Sequence, residues 1–159
     1  MHKLFFTFFT VLALVLGAVR AEASMCYSQR EFEAEQGLRI HSELMVIALT
    51  CMKMPRSEGI YSKYQAFTAK NSTLLTGYEQ DLIDFYRMRG EVQPEHTFHS
   101  LRTGLANKIS RHAITMSTAS FCKQFTPRLD SALQMDQQKL RRWAQHVWPD
   151  TPVSEPVCH

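Results

Sequence analysis

The stretch from Glu31 to Met54, EFEAEQGLRIHSELMVIALTCMKM, constrains the fold more than any other part of the chain. Leu38, His41, Leu44, Met45, Ala48, Cys51 and Met52 recur at spacings of three and four, and Ile40 and Ile47 widen the stripe. That period describes one face of a helix that other elements must cover. Glu33, Glu35, Gln36 and Glu43 fall on the opposite side, which the period assigns to solvent. Gly37 weakens the early turns, so fraying is expected there. Pro55 restricts Met54 and stops the helix. The rest of the chain is expected to pack on the apolar face, with Cys51 tying it to a distant segment.

Three further helices follow from the same period. Ile60 to Lys70 directs Ile60, Tyr61, Tyr64 and Phe67 inward. Leu74 to Met88 does so with Leu74, Leu75, Tyr78, Leu82, Phe85 and Tyr86, and Arg89-Gly90 ends it. Pro94 starts a helix carrying Phe98, Leu101, Leu105, Ile109 and Ala113, which breaks at Ser117-Thr118. From Ser120 to Val147 a last helix is interrupted near Pro127, with Thr126 as its cap. Its inward set is Leu129, Ala132, Leu133, Asp136, Leu140, Trp143 and Val147. No alternating run with hairpin turns appears, so the fold class is all-α, a four- to five-helix bundle with short connections. PDTPVSEP then predicts an extended tail over residues 149–159, held down only by Cys158, after a bundle domain over 24–148.

The opening residues place this bundle in a compartment. Lys3 precedes an apolar run from Leu4 to Val19, and Ala21-Glu22-Ala23 has the Ala-x-Ala form of a signal-peptidase site. The run is short for a bilayer span of about 20 residues. Residues 1–23 are therefore expected to be a cleaved signal peptide, and the product to be exported, periplasmic or secreted, with no membrane span of its own. Export makes disulfides the default for Cys26, Cys51, Cys122 and Cys158. Three pairings are open. Cys51 and Cys122 each lie in a helical pattern beside core-type residues, while Cys26 and Cys158 lie at the two ends of the exported chain. This favours Cys51–Cys122 with Cys26–Cys158. The first closes a loop worth roughly 4 kcal/mol in the chain-entropy model. No Cys-x-x-Cys is present, which argues against a redox pair or a thiol metal site.

Charge narrows the partners. Eighteen basic residues face 15 acidic ones, a formal +3, without the concentrated stripe that nucleic acid requires. One local cluster stands out: Lys139, Arg141 and Arg142 are followed by Trp143, His146 and Trp148. Cations interleaved with aromatics suit an anionic surface, a lipid headgroup or a glycan, with Lys139, Arg142, Trp143 and His146 as the contacts. Cations at a helix end also simply complement its negative pole. His96 and His99, three apart near a helix start, are candidate zinc ligands that still need one or two more. Met45, Met52, Met54, Met88, Met116 and Met135 offer soft ligands for copper, although methionine more often fills gaps in a core. His41 on the apolar face is expected to be a hydrogen-bonded core residue rather than a general base. No phosphate-cradling loop, Gly-x-Ser-x-Gly or covalent-haem motif is present, and no cofactor is expected.

The segments ELMVIALTC at 43–51, YQAF at 64–67, LANKIS at 105–110 and Phe121-Cys122 together resemble small exported bacterial proteins of uncharacterised function, over about residues 38–126. The resemblance implies a helical exported domain whose inner cysteines pair, and it implies no activity. The expected function is a non-enzymatic binding or structural protein of the bacterial envelope, meeting an envelope protein or an anionic surface. The alternatives are a zinc- or copper-binding periplasmic protein using His96, His99 and methionines, and an enzyme built around His41.

Overall fold

The computed structural model describes residues 26–55, 58–147 and 150–158, so the expected signal peptide at 1–23 lies outside them. The described chain is helical. Its elements are α1 (Gln29–Cys51), α2 (Ile60–Lys70), α3 (Ser72–Met88), α4 (Pro94–Thr115), α5 (Thr118–Phe125), α6 (Pro127–Leu133) and α7 (Gln137–Ala144). Four long helices match the four expected. The C-terminal helix, expected to be one kinked rod, is instead three short ones. Ser117 caps α5 by accepting from Ser120 N–H at 3.3 Å, and Asp136 caps α7 by accepting from Lys139 N–H at 2.8 Å. Asp136 is thus a cap and not a core residue. Thr126 already has helical dihedrals and makes no side-chain cap bond, so its expected capping role is not filled.

α1 is the central rod, touched by every other helix among the described residues. It begins at Gln29, two residues before the expected start at Glu31, because Ser28 and Glu31 form a capping box. The Ser28 N–H donates to Glu31 Oε2 at 2.8 Å. Along most of its length this central rod is covered by neighbours on all sides. Glu33, Glu35, Gln36 and Glu43, expected outside, are therefore all buried. At the other end the outcome reverses: Met52, expected inward, is 44% exposed, and its neighbour Leu49 is 50% exposed. Tyr61 and Val147, expected inward, are exposed too. Gly37 does not fray the helix. It is the point where α3 comes closest, and a Cβ there would meet the Tyr78 ring at 2.3 Å.

Gly90, with φ +82°, ends α3 in the left-handed conformation that favours glycine. The Asn71 side chain joins α2 to α3 from inside, donating to the Phe67 carbonyl at 3.0 Å while fully buried. Both favoured disulfides are formed, Cys51–Cys122 with Cα atoms 5.6 Å apart and Cys26–Cys158 with 5.2 Å.

The tail is extended, but sulfur is not all that holds it. It pairs with the start of the chain: Tyr27 N–H donates to the Pro156 carbonyl at 2.7 Å, and Cys158 N–H to the Tyr27 carbonyl at 2.9 Å. It also lies over α1, where Ser154 and the Thr151 carbonyl meet Glu35 and Gln36. Arg89 from α3 forms an ion pair with Glu155. Among the described residues no helix is long and apolar enough to cross a membrane.

Candidate functional site

The polar side of α1 divides into groups that are spent on the fold and groups that are not. Its N-terminal half is spent. Glu33 accepts from the Tyr78 hydroxyl at 2.7 Å and from Gln145 Nε2 at 2.6 Å, with Arg141 Nε 3.6 Å away. Glu35 accepts from the Ser154 N–H at 2.8 Å and the Ser154 hydroxyl at 2.5 Å. Burial pushes the Glu35 carboxyl above its usual range, against the pull of those Ser154 bonds. Glu31 is also pushed up by burial, but its bonds to Ser28 outweigh that and hold it below the usual range. Burial raises the Tyr27 and Tyr78 phenols, which stay neutral donors.

His41 belongs to the closed part as well. Its Nε2 lies 3.1 Å from both the Tyr64 hydroxyl and the Thr68 hydroxyl. Burial, helped by the Arg102 charge, lowers it to about 4, so it is neutral at pH 7. It lines none of the cavities described below, which agrees with the expected hydrogen-bonded core histidine.

The middle of α1 is open. Two cavities of about 530 and 260 Å³ lie on either side of a shared wall made by Arg39, Glu43, Arg128 and Thr151. The larger adds Pro127, Ser131 and Met135, with Trp143 and Asp150. The smaller adds Leu105 and Ile109 from α4, Phe121 and Phe125 from α5, Pro152 from the tail, and Lys108 and His112. Four segments far apart in sequence therefore meet at one cleft.

The shared wall holds two guanidiniums against one carboxylate. Arg128 pairs with Glu43 and lies over the Phe125 ring at 4.6 Å from its centroid. Arg39 gives its Nε–H to Gln36 Oε1 at 2.7 Å, and its Nη nitrogens find no acceptor among the described residues. Burial lowers the Arg39 guanidinium, opposed by Glu35 and reinforced by Arg128. Arg128 is lowered by burial. Both remain cations at neutral pH. The Thr151 hydroxyl is buried without a partner among the described residues. Donors without acceptors in a partly buried cleft have the chemistry that suits an anion.

The sequence-derived candidates fare unevenly. Of Lys139, Arg142, Trp143 and His146, only Trp143 reaches the cleft, where it lines the larger cavity; the other three are exposed on or just beyond α7. Trp148 lies outside the described residues. His96 and His99 are exposed near the start of α4, and His99 borders an open hollow with Ser42, Met45 and Arg102. Among the described residues no three His, Cys, Asp or Glu side chains are grouped to hold a metal. The methionines are scattered: Met52 and Met88 are exposed, while Met135 lines the larger cavity.

Arg39, Glu43, Lys108, Arg128 and Thr151 were missed. The one signal for Arg39 was its position between Leu38 and Ile40 on a helix most of whose residues are buried. Comparison with family models, with curated proteins and with solved structures finds no match to this chain.

Proposed function

We propose that the protein is an exported, non-enzymatic binding protein of the bacterial envelope and that the cleft around Arg39 and Arg128 receives an anionic ligand. The observation that carries this reading is the Arg39 guanidinium, half-buried in the cleft wall with no acceptor for its Nη donors among the described residues, beside the buried and unpartnered Thr151 hydroxyl. The two disulfides are compatible with export. The cleft offers donors and apolar surface, which suits recognition more than bond-breaking. Its position between α1, the short helices and the tail is where a rigid frame presents loop residues.

The test is thermal unfolding of the disulfide-bonded protein in acetate or phosphate against chloride at matched ionic strength. A ligand that binds only the folded state at a hundredfold its dissociation constant adds about 2.7 kcal/mol. Acetate or phosphate is expected to raise the midpoint in the wild type and not in Arg39→Gln. Excluded salts stabilise both proteins alike, so an equal rise in the two would sink the reading. Turnover of a substrate at the cleft would sink its non-enzymatic part.

A further inference from the structure

We propose that the smaller cavity takes the acyl chain of a single-chain anionic amphiphile, with its head group between Arg39 and Arg128; this rests on the anion-binding reading above. The walls are apolar on two sides. Leu105 and Ile109 are one turn apart on α4, and Phe121 and Phe125 one turn apart on α5, their rings 4.8 Å from centroid to centroid. The cationic plane of Arg128 lies over Phe125, so the charged and apolar surfaces are continuous. Lys108 and His112 sit beside the apolar wall on α4, and the Lys108 ammonium has no partner among the described residues. Around the smaller cavity three formal cations face one carboxylate, Glu43, while Asp150 stands in the lining of the larger one.

Neither a small polar anion nor a neutral hydrocarbon satisfies this lining. The first leaves the Leu105, Ile109 and Phe121 surface against water. The second dries Arg39 and the Thr151 hydroxyl without giving them an acceptor, which costs free energy for each group. An anionic head on an alkyl chain meets both needs, and its oxygens can accept from Arg39 Nη and from Thr151. The volume, about 260 Å³, is near the lower end of ligand pockets (roughly 300–1,000 Å³) and suits one chain rather than two. The adjoining 530 Å³ cavity leaves room for a head larger than a carboxylate. Fatty acids and alkyl phosphates share this chemistry.

Calorimetric titration of the native disulfide-bonded protein, below micelle-forming concentrations, tests the assignment. The probes are octanoate, decanoate, dodecanoate and decyl phosphate. The controls are decanol, decyltrimethylammonium, acetate and inorganic phosphate. Decanoate or decyl phosphate is expected to bind at least about tenfold more tightly than any control, and the ratio between them identifies the head group. Lys108→Glu, on an exposed position, is expected to weaken decanoate about tenfold. Leu105→Trp fills the cavity and is expected to abolish decanoate binding, its fold checked by circular dichroism. Decanol binding as well as decanoate, or Leu105→Trp leaving decanoate unaffected, overturns the proposal. If acetate or phosphate binds and decanoate binds no more tightly, the acyl subsite fails and the anion site stands. If no anion binds, both fail.

Discussion

The two halves of α1's polar side behave oppositely. Toward the N-terminus, Glu31, Glu33 and Glu35 are buried under α3, α7 and the tail, and each has donors in place. Toward the middle, Arg39 and Arg128 face cavities, with Glu43 paired to Arg128 and Asp150 in the lining of the larger cavity. Polar residues on a buried helix are thus not all of one kind. Where partners balance, the group fixes the position of neighbouring elements; the Arg39 Nη donors and the Thr151 hydroxyl have no such partner among the described residues. This difference can be tested by substitution, since the first half should govern stability and the second should govern ligand binding.

The largest loss is expected from Cys51→Ala with Cys122→Ala, which frees the wall carrying Phe121 from α1. Chemical denaturation should show about 4 kcal/mol less stability, with anion binding weakened because the wall moves. Next is Glu33→Ala, which strands the Tyr78 hydroxyl and Gln145 in the closed half. About 3 kcal/mol should be lost, with anion binding unchanged in the molecules that remain folded. Gly37→Ala places a methyl against the Tyr78 ring; overpacking should outweigh the gain in helix propensity and cost about 2 kcal/mol.

The pH dependence of His41 gives a comparable effect. Its folded value is lowered to about 4 from an ordinary value near 6.5, so the unfolded chain binds the extra proton between those limits. The stabilisation is fully present above pH 6.5 and is lost as pH falls toward 4. The stability difference between wild type and His41→Gln should shrink by about 2 kcal/mol across that window. Glu35, raised by burial, contributes in the opposite direction: it favours the fold at low pH and loses that advantage as pH rises through its folded value. The pairwise comparison removes it. The smallest stability change, about 1 kcal/mol or less, is expected for Arg39→Gln, together with the largest loss of anion binding. A large stability loss without a binding defect would erase the distinction between the two halves.

Local signals were legible and long-range cover was not. α2 is bounded at Ile60 and Lys70 as its period and flanking turn residues indicated, Pro94 opens α4, and Gly90 ends α3 for the reason its residue type suggests. The cysteine pairing was readable because two cysteines sat in helical patterns and two near the ends. The capping box of Ser28 and Glu31 was also present in the sequence and was passed over for the apolar period that starts later. The burial of Glu33 and Glu35 was of another kind. A single-helix period assigns polar residues to solvent, and only the return of Gln145 and Ser154, more than a hundred residues later, covers them. The cleft was hidden for the same reason, since Arg39, Lys108, Arg128 and Thr151 share no local pattern. Trp143 was the one predicted contact on an element that reaches it.

The bond between Cys26 and Cys158, with Tyr27 and Val157 side by side, has a mechanical consequence. Tension applied from outside this pair travels through one sulfur link across 5.2 Å of Cα separation and bypasses the helices between them. A pull on this pair would therefore strain neither the rod nor the cleft, and the shape of both is insulated from it.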